Sequence, residues 1–436
     1  MDKITLSFIV AFSISLPAYA QDLVSIYKLA LQNDSQFRAA QAEYQALLEL
    51  KEQSSALLFP TISINGNYTE LKDKTTASSS DSKYEYSTNG YNLNLVQPIY
   101  SHANIVGLYK ADAQVAQASV TFKNEQQDLI LRVATRYFDV LAANDDLAFA
   151  KAERTAIHEQ LIQTQQRFNV GLIAITDVHE AQARYDQAVA RAIAAENTVA
   201  ISYETLREIT ASEHKVLAAL STKHPLVKPI PSDIKQWVST ALSQNALLKA
   251  SEKNVDIARE EVNLQRASHY PTLDLSARHS RIDYDENALG GHRERNDSTL
   301  SLQLNIPLYQ GGLVNSRTRA AAHRLTQARE ILEQQKRATE RETRNSYLRV
   351  IANISQVKAL KQALASSSIA LEATQAGFEV GTRTAVDVLD SQRELYRARR
   401  DYAQVRYNYV LETLKLKFAA GTLSDVDIEQ LNPWLK

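Results

Sequence analysis

The chain spells one pattern twice, about 210 residues apart, and that repeat limits what it can fold into. "ALQNDSQFRAA" from Ala30 returns as "ALSQNALLKAS" from Ala241. "FPTISIN" around Pro60 returns as "YPTLDLS" around Pro271, and "VQPIY" around Pro98 as "NIPLY" around Pro307. "RYFDVLAAN" around Tyr137 returns as "SYLRVIANI" around Tyr347. Phe168, Val170, Gly171 and Asp177 are matched by Phe378, Val380, Gly381 and Asp387. Residues 21–224 and 232–436 therefore read as two copies of one structural repeat, joined by a linker over 225–231 that Pro225, Pro229 and Pro231 make stiff and extended.

Each copy has the same grammar. A helix over Leu23–Leu57 or Ile234–Ala267 is stopped by a proline. Two strand-like stretches follow, separated by a polar loop. A proline-free run, Ser101–Asn169 or Gly311–Ala376, comes next. At about 1.5 Å per residue such a run spans about 100 Å, more than a compact domain uses. Then comes a glycine break and a last helix of about 35 residues. Only 11 glycines and 9 prolines occur in 436 residues, which favours long helices. Val133, Val140, Leu147, Leu161 and Phe168 fall in one seven-residue column, and Val388, Leu395, Tyr402, Tyr409 and Leu416 in another. That repeat winds helices into coiled coils.

The four extended stretches alternate with period two. Ile62, Ile64 and Tyr68 alternate with polar residues, as do Tyr91, Leu93 and Leu95; Leu273, Leu275 and Ala277; and Leu300, Leu302, Leu304, Ile306 and Leu308. Each stretch, about ten residues long, has one oily and one polar face, the length of a tilted strand that crosses a bilayer. The coiled-coil columns are already occupied by one another, so lipid is the simplest cover for the oily faces. A bilayer forbids open sheet edges, and four strands cannot close a barrel. The chain must therefore oligomerise: two chains give eight strands and little lumen, three give twelve and a pore. "KDKTTASSSDSKYEYS" and "DYDENALGGHRERND" read as the extracellular loops of such a barrel.

Export is written at the front. "MDKITLSFIVAFSISLPAYA", residues 1–20, has Lys3, an apolar run too short to span a bilayer, and an A-x-A-like site at Ala18 and Ala20, the marks of a signal peptide. The mature chain is expected to begin near Gln21. There is no cysteine, hence neither disulfides nor lipidation of a new N-terminus. A net charge of −1 gives no footprint for nucleic acid. No catalytic constellation stands out. His179 and Glu180 lack the second histidine of a zinc helix, Ala183 standing in its place, and Gly311 and Gly312 lack a phosphate-loop lysine. No enzyme activity, cofactor or metal is expected.

"QQRFNVGLIAITDVHEAQARYD", "NIPLYQGGLVNSR" and "VGTRTAVDVLDSQRELYRARRDYAQVRYNYV" resemble the TolC family of outer-membrane channel proteins, and the resemblance covers nearly all of the mature chain. It implies a mixed α+β membrane protein: a homotrimer with a 12-stranded transmembrane β-barrel, four strands per chain, continuous with a long periplasmic α-helical coiled-coil barrel. It implies a passive exit duct for tripartite efflux pumps or type I protein secretion. The partners would be a periplasmic adaptor (membrane fusion) protein, outer-membrane lipid, and an inner-membrane transporter of the resistance-nodulation-division, ABC or major-facilitator class. A non-channel trimeric coiled-coil adaptor or adhesin is the alternative, which the lipid-like strands argue against.

The two glycine breaks then become turns at the periplasmic tips of helical hairpins. Gly171 and Gly381 suit helix ends with positive φ. Val170, Gly171 and Leu172, with Val380, Gly381 and Thr382, resemble the family's adaptor-docking tips. Asp387 and Asp390, at i and i+3, share a helix face. In a trimer they would set six carboxylates around one pore constriction that favours cations. The resemblance also implies gate links at Thr176, Asp177, Phe378, Arg383 and Arg406, with Asp177 accepting from Arg383 and Arg406. The best-known members have tyrosine where this chain has Phe378, which has no hydroxyl to donate.

Overall fold

The computed structural model describes residues 21–77, 80–285 and 291–436; the expected signal peptide, residues 1–20, lies outside them. Helix, helix, strand, strand, helix, helix runs twice along the chain. The elements are α1 (Leu23–Asn33), α2 (Ser35–Ala56), β1 (Thr61–Ala77), β2 (Ser80–Ser101), α3 (His102–Asn169) and α4 (Ile175–Thr210), then α5 (Ile234–Gln244), α6 (Ala246–Ala267), β3 (Thr272–Tyr284), β4 (Arg293–Asn305), α7 (Leu313–Glu379) and α8 (Ala385–Ala420). A short α9 (Asp425–Leu431) and one 3₁₀ turn follow.

The first helix of each half is not continuous, contrary to the sequence expectation. Asp34 and Asn245 take extended backbone conformations (φ −62°, ψ 118° and φ −61°, ψ 124°) and split it in two. Each cuts the helix by starting the next one. Asp34 Oδ1 accepts from the Phe37 amide at 2.6 Å, and Asn245 Oδ1 from the Leu248 amide at 3.0 Å. Short acidic and amide side chains compete for backbone donors in this way. Asp34 is held further by Arg132, at 2.8 Å.

One compact unit contains the strands: residues 39–124 and 242–340. Its sheet is antiparallel in the order β1-β2-β3-β4. The register places Ile62 opposite Leu95, Leu95 opposite Ala277 and Ala277 opposite Leu300. Ile64 and Leu93, and Leu275 and Leu302, are paired likewise. These residues form one oily face, and in the protomer it is bare: Ile64 is 70% exposed and Leu300 74%. Tyr68 and Tyr91 border the band on the same face, as aromatic girdles do at membrane interfaces. Beyond them Lys72 bridges Glu85 (2.6 Å) and Glu70 (3.0 Å). The opposite face carries Asn92, which accepts from Arg278 at 2.7 Å. β1 and β4 do not pair with each other, so the sheet has two free edges.

Two details of the strands differ from expectation. They run 13 to 22 residues, not about ten. The first polar stretch is not a loop: the β1–β2 ladder continues to the pair Ala77 and Ser80. In the second, β3 runs to Tyr284 and β4 resumes at Arg293, with residues 286–290 outside the described set. No described helix is long and apolar enough to cross a membrane.

The other unit comprises, among the described residues, 21–38, Glu125–Ala241 and Arg341–Lys436. Its core gathers Leu23, Ile26, Val133, Tyr137, Val140, Leu206 and Leu416, all at most 1% exposed. Tyr137 donates to the Ala218 carbonyl at 2.7 Å, and Tyr407 to Asp145 at 2.6 Å. Burial, reinforced by Asp145, pushes the Tyr407 phenol far above its ordinary range. The 225–231 segment is tied down by Tyr409, whose hydroxyl donates to the Val227 carbonyl and accepts from its amide, both at 2.9 Å. Toward the tips α3 and α4 pack through alanines. Ala181 and Ala188 meet Ile157 and Leu389, and Ala192 and Ala195 meet Ala150.

Candidate functional site

The α3–α4 and α7–α8 turns close identically on the helix they end. Gly171 and Gly381 each have φ 77°, where a Cβ would crowd the backbone. The Gly171 amide donates to the Phe168 carbonyl and the Leu172 amide to the Arg167 carbonyl, both at 2.9 Å. At the second tip the Gly381 amide donates to Phe378 O at 3.2 Å and the Thr382 amide to Gly377 O at 2.8 Å. Two reverse bonds around a left-handed residue satisfy the last carbonyls of a helix. Val170 and Leu172 are 71% exposed and Val380 76%, so the tips present apolar side chains to their surroundings.

The turns differ in how the next helix begins. Thr384 caps α8: its Oγ1 accepts from the Asp387 amide (3.2 Å), while Asp387 Oδ2 accepts from the Thr384 amide (2.9 Å). This capping box satisfies two free donors at once. The Thr384 amide, then its hydroxyl and the nearby Arg383, hold the Asp387 carboxyl below its ordinary range. At the first tip Ala174 occupies the cap position and has no side-chain acceptor. Asp177 stands in the first turn of α4, where a carboxylate complements the helix dipole.

Several predicted residues come together and others do not. Phe378 is 5% exposed, packed with Ala385, Val388 and Leu371. Thr382 Oγ1 donates to the Gly377 carbonyl at 3.0 Å, and Arg383 folds its stem over Gly377. Among the described residues, the carboxylate of Asp177 and the guanidinium of Arg383 have no ion-pair partner within the protomer. The expected Asp177–Arg406 bond is corrected. Arg406 donates to the carbonyls of Leu220 (3.1 Å) and Ser221 (2.6 Å). It lies 22 residues beyond Thr384 along the chain, about 30 Å up the helix from the tip.

Of the two aspartates expected at the constriction, Asp390 has arginine neighbours within the protomer. Asp390 is engaged by Arg184 of α4 at 3.2 Å and by Arg393 at 3.6 Å. Arg184 was the partner that sequence reasoning missed; only the fold brings α4 and α8 together. Of Asp387 and Asp390, Asp387 is the one without an arginine salt bridge among the described residues. Farther up, Arg191 reaches the buried Glu153 at 2.9 Å. Burial pushes that carboxyl above its usual range despite the pull of Arg191.

A lone sheet with a bare oily face and two free edges, on a chain that also builds helices of 67 and 68 residues, is one part of a closed membrane channel. The comparisons with known proteins agree. The family model for outer membrane efflux proteins matches twice, over residues 26–212 and 237–422. Outer membrane protein TolC of Vibrio cholerae is 37% identical over 97% of this chain and 96% of its own length. The proteases secretion protein PrtF of Dickeya chrysanthemi is 30% identical over 96% of this chain and 92% of its own. The solved structure of CusC superposes with a TM-score of 0.79 at 16% identity, covering 92% of each chain. The chain belongs to the outer membrane efflux protein family. It contributes four strands to a twelve-stranded trimeric barrel in the outer membrane, its helical part lies in the periplasm, and the trimer is an exit duct.

Proposed function

We propose that this duct is passive and is gated at its periplasmic mouth by the two tip turns, which also dock the rest of the export machine. Supporting this is one observation: the turns leave Val170, Leu172 and Val380 largely bare at the very ends of the two helical hairpins. Bare apolar side chains on a rigid turn mark a protein-binding surface. The occupant we assign is a periplasmic adaptor that couples the duct to an inner-membrane transporter of the resistance-nodulation-division, ABC or major-facilitator class. Similarity to PrtF supports protein cargo beside small-molecule efflux.

The mouth carries its own selectivity. Three Asp387 carboxylates, one per protomer, would ring the constriction and draw cations, while Asp390 is neutralised by Arg184 and Arg393. Arg383 would reach Asp177 on a neighbouring protomer, with Thr176 beside it. Exposed ion pairs contribute about 0–1 kcal/mol each, so three copies make a latch that an adaptor with modest differential affinity opens. Asp387→Asn in the reconstituted trimer tests the reading. Cation-over-anion selectivity should fall in planar-bilayer recordings, and unchanged reversal potentials would refute it.

A further inference from the structure

The two tip turns are not independent. In the repeat, Arg167 stands where Gly377 stands in the second copy, immediately before Phe168 and Phe378 respectively. At Gly377 a side chain would displace Arg383, because a Cβ would lie 2.8 Å from its Cγ. At Arg167 there is a long side chain, and it lies on the other turn. Its Cζ sits 4.0 Å from the centroid of the Phe378 ring. Its Nη1 donates to the Phe378 carbonyl at 3.3 Å. One guanidinium thus holds both the ring and the backbone of the residue at which the second turn begins. Arg167 also lies in the last turn of α3, where a cation complements the helix dipole.

We propose that Arg167 is a positioning residue that latches the α7–α8 tip onto the α3–α4 tip and so keeps the periplasmic mouth closed. This rests on the reading that the mouth is the constriction. Phe378 cannot donate a hydrogen bond from its side chain, but the negative face of its ring attracts a guanidinium. The link is made inside each protomer, so it sets the position of a tip before neighbouring protomers meet. It also explains why Phe378 is buried: Ala385, Val388 and Leu371 support the ring from within the second tip.

The test uses the full-length trimer in planar bilayers. Arg167→Ala should raise mean conductance about ten-fold, the cost of one lost cation–π contact expressed as a population shift. Arg167→Lys should fall between the two, because an ammonium keeps the ring contact but not the paired geometry. Phe378→Leu, which keeps apolar bulk and removes the ring face, should match Arg167→Ala. The double variant should then conduct no more than either single one. Heat-resistant trimers in Arg167→Ala confirm that the assembly is intact. Asp387→Asn serves as the control for the constriction. If it alters selectivity while Arg167→Ala conducts like the unmodified trimer, the latch is refuted and the constriction stands. If neither variant changes the currents, the constriction lies elsewhere and both readings fall. Additive effects in the double variant also refute the latch.

Discussion

The two tip turns share one backbone and differ in what secures it. Each has a glycine at φ 77° and the same pair of reverse hydrogen bonds. The second adds a capping box, a buried phenylalanine and a threonine hydroxyl bonded across the turn. The first has an uncapped Ala174, and Phe168 is only half buried. A duplicated chain has thus kept the geometry and divided the labour. The second turn is internally braced, and the first supplies the arginine that reaches across. The backbone conformation was the constraint common to both copies, while the side chains around it were free to specialise.

The contrast can be broken by experiment. The largest difference should come from the two phenylalanines. Phe378→Ala should cost about 3 kcal/mol of local stability and Phe168→Ala about 1 kcal/mol, since only the former empties a packed site. Hydrogen exchange of the amides around each turn reads this directly. Equal losses would mean that the tips are braced alike. Next, Gly171→Ala and Gly381→Ala should each cost about 1–2 kcal/mol, because an L-residue is strained in that conformation wherever it stands. Here the two tips should agree.

Smaller effects follow from the caps. Thr384→Ala should cost about 1 kcal/mol at the second tip, and Ala174→Ser should gain up to about 1 kcal/mol at the first by creating the missing cap. Protection of the first turns of α4 and α8 measures both. The smallest effect is acid sensitivity. Asp387 has a lowered pKa in the folded state, so it contributes stability above its unfolded value that is lost as pH falls through the folded one. Protection at the start of α8 should therefore decline below about pH 4, and Thr384→Ala should blunt that decline.

Most of the architecture could be read from residue order. Period-two alternation in Ile62–Tyr68 and Leu300–Leu308 is a direct record of a two-faced strand, and Gly171 and Gly381 stand where only a left-handed turn can be. The split at Asp34 and Asn245 was not legible, because a polar residue that caps a new helix looks like one on a helix surface. Polar strand ends were mistaken for a loop because solvent-facing strands lose the alternation that betrays them. Arg393, at i+3, is a neighbour of Asp390 that spacing does show, but the distant partners of Asp390 and Arg406 could not be read at all. Arg184 and the Leu220 and Ser221 carbonyls are brought there by packing between distant segments, which no local spacing encodes.

Gly90 carries a further consequence. At the join of β2 and β3 its backbone approaches so closely that a Cβ would stand 2.5 Å from the Arg281 carbonyl oxygen. That join is where the hairpin of the first copy meets the hairpin of the second inside one chain. Each chain has one such seam, and the seams between β4 and β1 unite different molecules. The internal seam leaves no width for a side chain at Gly90, so even a methyl group there would prise the two hairpins of one chain apart.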